Sequence, residues 1–319
     1  DLRPDRYLDR RGGTPCVVPF RSQPIGLLLN GSDRFMASND VQTQFLQTEG
    51  GRIAFDDTGG TGPLVVGIPG MGDLRSEYRL IKPMLQHAGC RVVTMDVRGF
   101  GQSSPEWSDY SARAVGRDAV AILRQLAAGP AVIMGNSFAA GSALWAAKEA
   151  PSLVNGVVLL GPIVRDLPLT TIQKLVLGLG FAGPWRTWFW TTYWSSLFPT
   201  KPAPDHAEVR AAIAANLREP KRMQALLTML SLSKSDTAAI LDEISVPSLI
   251  VMGTKDPDFT DPVEEARGLA TRISAETMIV DGAGHYPHVE MANDVGQRII
   301  AFVRQLDKPG PAVVPLRRS

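Results

Sequence analysis

Apolar and polar residues alternate over 42–48 and again over 52–58, on either side of Glu49-Gly50-Gly51, which predicts a β-hairpin. A wholly apolar run, 64–68, follows and ends in the turn Pro69-Gly70-Met71-Gly72-Asp73. Residues 76–88 carry Leu80, Ile81, Met84 and Leu85 on one helical face, and 91–97 reads as the next strand. The rhythm then repeats. A helix over 111–128 has Val115, Ala119, Ile122, Leu123 and Leu126 as its stripe, and strand 131–135 leads into helix 138–150, stopped by Pro151. Strand 154–160, strand 248–252, helix 262–272, strand 276–280 and helix 288–306 complete the series. Apolar strands alternating with amphipathic helices predict an α/β fold: a mostly parallel sheet of about eight strands with helices on both faces.

Between 163 and 242 this rhythm stops, and the chain reads as helical. The pattern predicts an α/β core over 40–162 and 243–306, with a helical cap over 163–242 inserted between two strands. The cap would sit at the sheet edge where ligands bind in such folds. Residues 1–39 read as an N-terminal extension around Met36, which looks like a natural start, and 307–319 as a flexible tail. No signal-peptide pattern and no run of about 18 apolar residues is visible, so the expectation is a cytoplasmic protein without a membrane span.

Charge narrows the partners. Lys and Arg number 33 against 32 Asp and Glu, a net charge of +1, which argues against nucleic acid or an anionic membrane as partner. Cys16 and Cys90 are the two cysteines and read as unpaired thiols. Of the four histidines, His285 and His288 are three apart, but no carboxylate or cysteine cluster completes a metal site in the sequence. No metal and no cofactor is expected, and the sequence is silent on oligomeric state.

The chemistry centres on Gly135-Asn136-Ser137-Phe138-Ala139, at a strand-to-helix junction. A serine at the tip of so tight a turn needs small residues two before and two after it, which Gly135 and Ala139 supply. Phe138 opens the helix, so its backbone N–H faces the site and can stabilise an oxyanion. A serine nucleophile needs a base, and the base needs an acid. His285 follows strand 276–280, and Asp256 follows strand 248–252, with Asp258, Asp261 and Asp166 as alternative acids. These loops lie at the same sheet edge as Ser137. His288 reads as structural.

Together with Pro69-Gly70-Met71-Gly72, Asp96-Val-Arg-Gly-Phe-Gly-Gln-Ser103 and Gly284-His285, this block resembles the α/β-hydrolase superfamily over about residues 42–306. The likeness is to its serine-nucleophile branch with a helical cap, which includes esterases and lactonases. The resemblance implies Ser137, Asp256 and His285 as catalytic triad, Met71 N–H as a second oxyanion donor beside Phe138 N–H, and an acyl-enzyme route. The chain departs from the family at Pro69, where His is common, and at Ala139, where Gly is common. Members resembling haloalkane dehalogenases and epoxide hydrolases carry Asp where this chain has Ser137. Asn136 is similar to the branch that cleaves carbon–carbon bonds in ring-fission products, although Tyr286 stands where that branch usually has Trp.

Four of the six tryptophans, Trp185, Trp188, Trp190 and Trp194, lie in the cap. As a group they imply a hydrophobic cavity. Trp185, Trp188, Trp190, Phe259 and Tyr286 are the candidate pocket residues. The same aromatics could form a membrane-interface surface, but the cap lacks a basic polar face. The expected activity is hydrolysis of a small-to-medium hydrophobic carboxylic ester or lactone, so the expected partner is a small apolar ester-type substrate. The alternatives are a carbon–carbon bond hydrolase, or a lyase or ligand receptor on the same fold.

Overall fold

The structure is a computed structural model in which residues 42–307 are described. The extension over 1–39, with Met36 and Cys16, and the tail beyond 307 lie outside them. Among the described residues eight strands form one sheet: β1 (Gln44–Thr48), β2 (Gly51–Asp57), β3 (Leu64–Ile68), β4 (Arg91–Met95), β5 (Ala131–Asn136), β6 (Val154–Leu160), β7 (Ser248–Gly253) and β8 (Glu276–Val280). Their spatial order is β1-β2-β4-β3-β5-β6-β7-β8. The β1–β2 and β2–β4 pairs are antiparallel, and every pair from β4 to β8 is parallel.

Both faces of the central strands are covered, which is why those strands read as continuous apolar runs. Ala131 and Ile133 of β5 enter one core cluster, Val132 and Met134 the other, as the two-residue period of a strand requires. Among the described residues six helices flank the sheet: α1 (Lys82–His87), α2 (Ala112–Gln125), α3 (Phe138–Glu149), α9 (Pro262–Ile273), α10 (Pro287–Glu290) and α11 (Ala292–Leu306). Ser111 caps α2 by accepting from Ala114 N–H, and Asp261 caps α9 by accepting from Glu264 N–H.

Between β6 and β7 run α4 (Thr171–Ala182), α5 (Arg186–Ser196), α6 (His206–Arg218), α7 (Arg222–Ser231) and α8 (Ser235–Ala239). The side chain of Asn216 in α6 bonds both backbone groups of Gly101, and Arg222 donates to Ser103 O at 2.7 Å, so these helices are tied to the loop after β4. That loop is held from within by Asp96, which accepts from Arg75 and Gln102 N–H at 2.8 and 2.9 Å.

Two expected helices are broken. Residues 76–88 form a 3-10 turn, Arg75–Arg79, followed by the short α1, because Pro83 is tolerated only in a helix's first turn. The last helix is interrupted at Met291, whose φ of −123° and ψ of 49° separate α10 from α11.

Candidate active site

From β3 the chain crosses to β4 on one side and later returns to β5 on the other. The loops that follow β3 and β5 therefore diverge and leave a crevice at their carboxyl ends. Ser137 opens there, directly after β5, with φ 56° and ψ −123°, a strained conformation for a residue with a Cβ. Backbone bonds from Ser137 N–H to Leu160 O (2.8 Å) and from Ile163 N–H to Ser137 O (3.2 Å) hold it in place. A Cβ on Gly135 would lie 2.1 Å from Ala139 O, so this turn admits only glycine there.

His285 and Asp256 come from the loops after β8 and β7, and both are buried. His285 Nδ1 lies 2.7 Å from Asp256 Oδ2. Asp258 Oδ2 is 3.6 Å from the same nitrogen. Burial works against a charged imidazole, but Asp256 and Asp258, with Glu77 farther off, hold the His285 pKa up at about 9. Asp261 is the α9 cap, and Asp166 bonds Ser233 and Lys234 N–H, so neither of these alternative acids reaches the histidine.

Ser137, His285, Met71 and Phe138 line one open cleft. Among the described residues Ser137 Oγ has no hydrogen bond to His285, a contact that commonly tightens only with substrate present. Neither Met71 N–H nor Phe138 N–H is taken up by a backbone acceptor among the described residues, so both remain available to a ligand. Met71 sits in a tight turn closed by Asp73 N–H to Gly70 O at 3.1 Å, with Gly72 at φ 77°. Trp190 presses on this turn: a Cβ on Gly72 would come within 2.8 Å of its indole nitrogen.

Beneath the turn lies a buried polar cluster that sequence patterning did not reveal. Glu77 accepts from Gly70 N–H at 2.7 Å and lies 3.0 Å from His288 Nε2. Asp73 accepts from Leu74 N–H and from the Trp194 indole at 2.7 and 3.0 Å. Burial pushes the Glu77 carboxyl up to about 8; burial and the neighbouring Glu77 push Asp73 to about 7; burial depresses His288 to about 3. Glu290 accepts from Gly284 N–H at 2.5 Å and fixes the loop before His285.

Gly161, just past β6, was likewise missed. It adopts φ 47°, and a Cβ there would lie 2.7 Å from His285 O and 3.2 Å from His285 Nδ1. The close approach of backbone to imidazole was invisible without the β6–β7–β8 pairing. Asn136 is spent on structure, donating to Leu160 O and His285 O at 3.1 Å each.

Of the pocket candidates, Trp188, Trp190, Phe259 and Tyr286 line the cleft. Trp185 does not: it stands exposed, with its indole N–H bonded to Leu179 O. The ligating atoms of Asp256, Asp258 and His285 fall within 4.8 Å of one another. Within this group His285 Nδ1 already engages Asp256. No described helix is long and apolar enough to cross a membrane.

Residues 65–297 match the model of the alpha/beta hydrolase family. The chain is 25% identical to a 2-(acetamidomethylene)succinate hydrolase of Mesorhizobium japonicum over 71% of this chain and 83% of that protein. It is 25% identical to an sn-1-specific diacylglycerol lipase of Mus musculus over 77% of this chain and 83% of that protein. An esterase from Exiguobacterium antarcticum shares the fold at a TM-score of 0.71 and 20% identity, over 82% of this chain and all of that one. With the family match extending over more than half its length, the chain belongs to the alpha/beta hydrolase family.

Proposed function

We propose that the protein is a serine hydrolase that cleaves a small-to-medium hydrophobic carboxylic ester or lactone through an acyl-enzyme intermediate. One observation carries this reading: Ser137, at φ 56°, shares a cleft with a buried histidine whose Nδ1 is 2.7 Å from a buried aspartate. Ser137 Oγ attacks the carbonyl carbon as His285 Nε2 takes the hydroxyl proton. Asp256 keeps the ring in the tautomer that leaves Nε2 free to accept, and stabilises the imidazolium that forms. Met71 and Phe138 N–H groups bind the oxyanion, an interaction of about 3–4 kcal/mol per donor where such donors have been removed. His285 returns the proton to the leaving oxygen as the carbon–oxygen bond breaks. A water molecule, deprotonated by His285, then releases the acid.

The apolar lining, with Ile163, Phe259 and Leu227 among its residues, favours an uncharged substrate. The test compares wild type with Ser137→Ala on ester, lactone and vinylogous-diketone substrates. Ester or lactone turnover that vanishes in the variant supports the proposal. Diketone consumed much faster than any ester would establish the carbon–carbon reading instead. Recovery of every substrate unchanged despite tight binding would point to a receptor.

A further inference from the structure

Helix α4 has its apolar stripe on the wrong side for a core helix. Ile172, Leu175, Val176 and Leu179 follow the i, i+3, i+4, i+7 spacing that normally turns a face inward. Here they are 74%, 62%, 51% and 61% exposed. The helix is well formed, with a complete capping box between Thr170 and Gln173. It is anchored near its carboxyl end, where Phe181 packs edge-on against Phe189 at 5.1 Å between ring centroids and Gly180 lies against the same ring. Trp185 and Trp188 extend the exposed apolar surface beyond it, at 51% and 62% exposure. So large an outward apolar patch marks a surface that meets something.

Two observations identify what it meets. The first is charge. No Asp or Glu occurs between Asp166 and Asp205, whereas Lys174, Arg186 and Lys201 do, and all three are exposed. At the chain's average acidic content, 32 in 319, a stretch that long would carry about four carboxylates. An apolar helix face with exposed indoles, on a segment whose own charges are all positive, suits lipid acyl chains beneath phosphate headgroups, although the exposed Asp166, Asp261 and Glu264 line the cleft beside it. The second is continuity. Ile172, Val176 and Trp188 belong both to the exposed patch and to the lining of the cleft that holds Ser137. A surface pressed against α4 therefore lies at the cleft mouth.

We propose that the outward face of α4, with Trp185 and Trp188, docks on a phospholipid bilayer surface containing anionic lipid, and that the cleft takes its ester from that surface. Docking stands independently of the hydrolase reading; delivery of an ester rests on it. The sequence argued against an interfacial role because the cap lacks a basic polar face. The structure shows that the cations are spread over the segment around the helix instead, and that among the described residues the apolar face stands exposed.

The test uses the full chain carrying Ser137→Ala, so that binding is read without turnover. Flotation is measured with phosphatidylcholine vesicles and with equimolar phosphatidylcholine and phosphatidylglycerol. The expected result is flotation with the mixed vesicles, weaker with phosphatidylcholine alone, and reduced on the order of tenfold or more by Leu175→Glu with Leu179→Glu. In the active background, that double variant keeps wild-type turnover of soluble p-nitrophenyl acetate, which also reports an intact fold. It loses turnover of a long-chain p-nitrophenyl ester dissolved in the mixed vesicles. Absence of flotation, or equal flotation of the double variant, overturns docking. So does a dimer by sedimentation that the double variant converts to monomer, since a second copy then covers the face. Flotation as expected with no turnover of either ester overturns the hydrolase reading alone.

Discussion

Asp258→Asn is the most informative single change at the candidate site. Its Oδ2 lies 3.6 Å from His285 Nδ1, and its Oδ1 accepts from the Tyr193 hydroxyl at 2.6 Å, a bond the amide oxygen of Asn can keep. A unit charge at 3.6 Å interacts with an imidazolium by about 1 kcal/mol in water-like dielectric and about 5 kcal/mol at an effective dielectric near 20. Asp258 is 13% exposed, between those limits, so its removal lowers the His285 pKa by roughly 1–3. The direction is fixed by sign: losing a negative neighbour makes the imidazolium easier to deprotonate. In the wild type, with the histidine near 9, kcat/KM for a neutral ester rises with pH until the ring is neutral. In the variant the same limb moves to lower pH, and activity at neutral pH gains on the order of tenfold for every pH unit the limb moves. The assay is a pH profile of kcat/KM with p-nitrophenyl acetate, corrected by the Ser137→Ala background. A limb that stays in place or moves upward refutes the electrostatic coupling of Asp258 to His285.

Three further expectations follow from neighbouring contacts. Gly161→Ala places a methyl group 2.7 Å from His285 O at a left-handed position, so kcat falls on the order of a hundredfold and Tm drops, measured by steady-state kinetics and calorimetry. Ser137→Gly is more stable than Ser137→Ala by about 1–2 kcal/mol in urea denaturation, because glycine relieves the strain at φ 56°. Glu77 is raised from its ordinary 4.5 to about 8 in the fold, so unfolding releases its proton and stability falls as pH rises through that window. Glu77→Gln mimics the protonated group and flattens the decline in Tm across the same range, while an unchanged slope would show that Glu77 is ionised in the fold.

Much of the fold was legible because it depends on short-range pattern. The apolar run Leu64–Ile68 and the junction at Asn136–Ser137 mark central strands covered on both faces, and the small residues Gly135 and Ala139 fit only a tight turn. What escaped depends on contacts between distant segments. Glu77 and His288 meet across 211 positions, and the Trp194 indole reaches Asp73 across 121. Neither spacing carries a local signal. Asp256 was favoured as the acid by its place after a strand, with Asp258, Asp261 and Asp166 as alternatives, and only loop geometry shows its Oδ2 lying 2.7 Å from His285 Nδ1. The stripe on α4 was readable as a stripe, but periodicity says only that a face exists, not whether core or solvent lies against it. Trp185 illustrates the same limit: a tryptophan in an inserted helical segment can line a cleft or face outward, and this one stands exposed, outside the lining.

The central claim is that Ser137 is the activated nucleophile. The direct measurement is intact-mass and peptide mass spectrometry after reaction with a fluorophosphonate probe. The account predicts one stoichiometric adduct on the peptide containing Ser137, formed far more slowly in His285→Ala and absent in Ser137→Ala. An adduct on another residue, or none while ester turnover persists in Ser137→Ala, would contradict it.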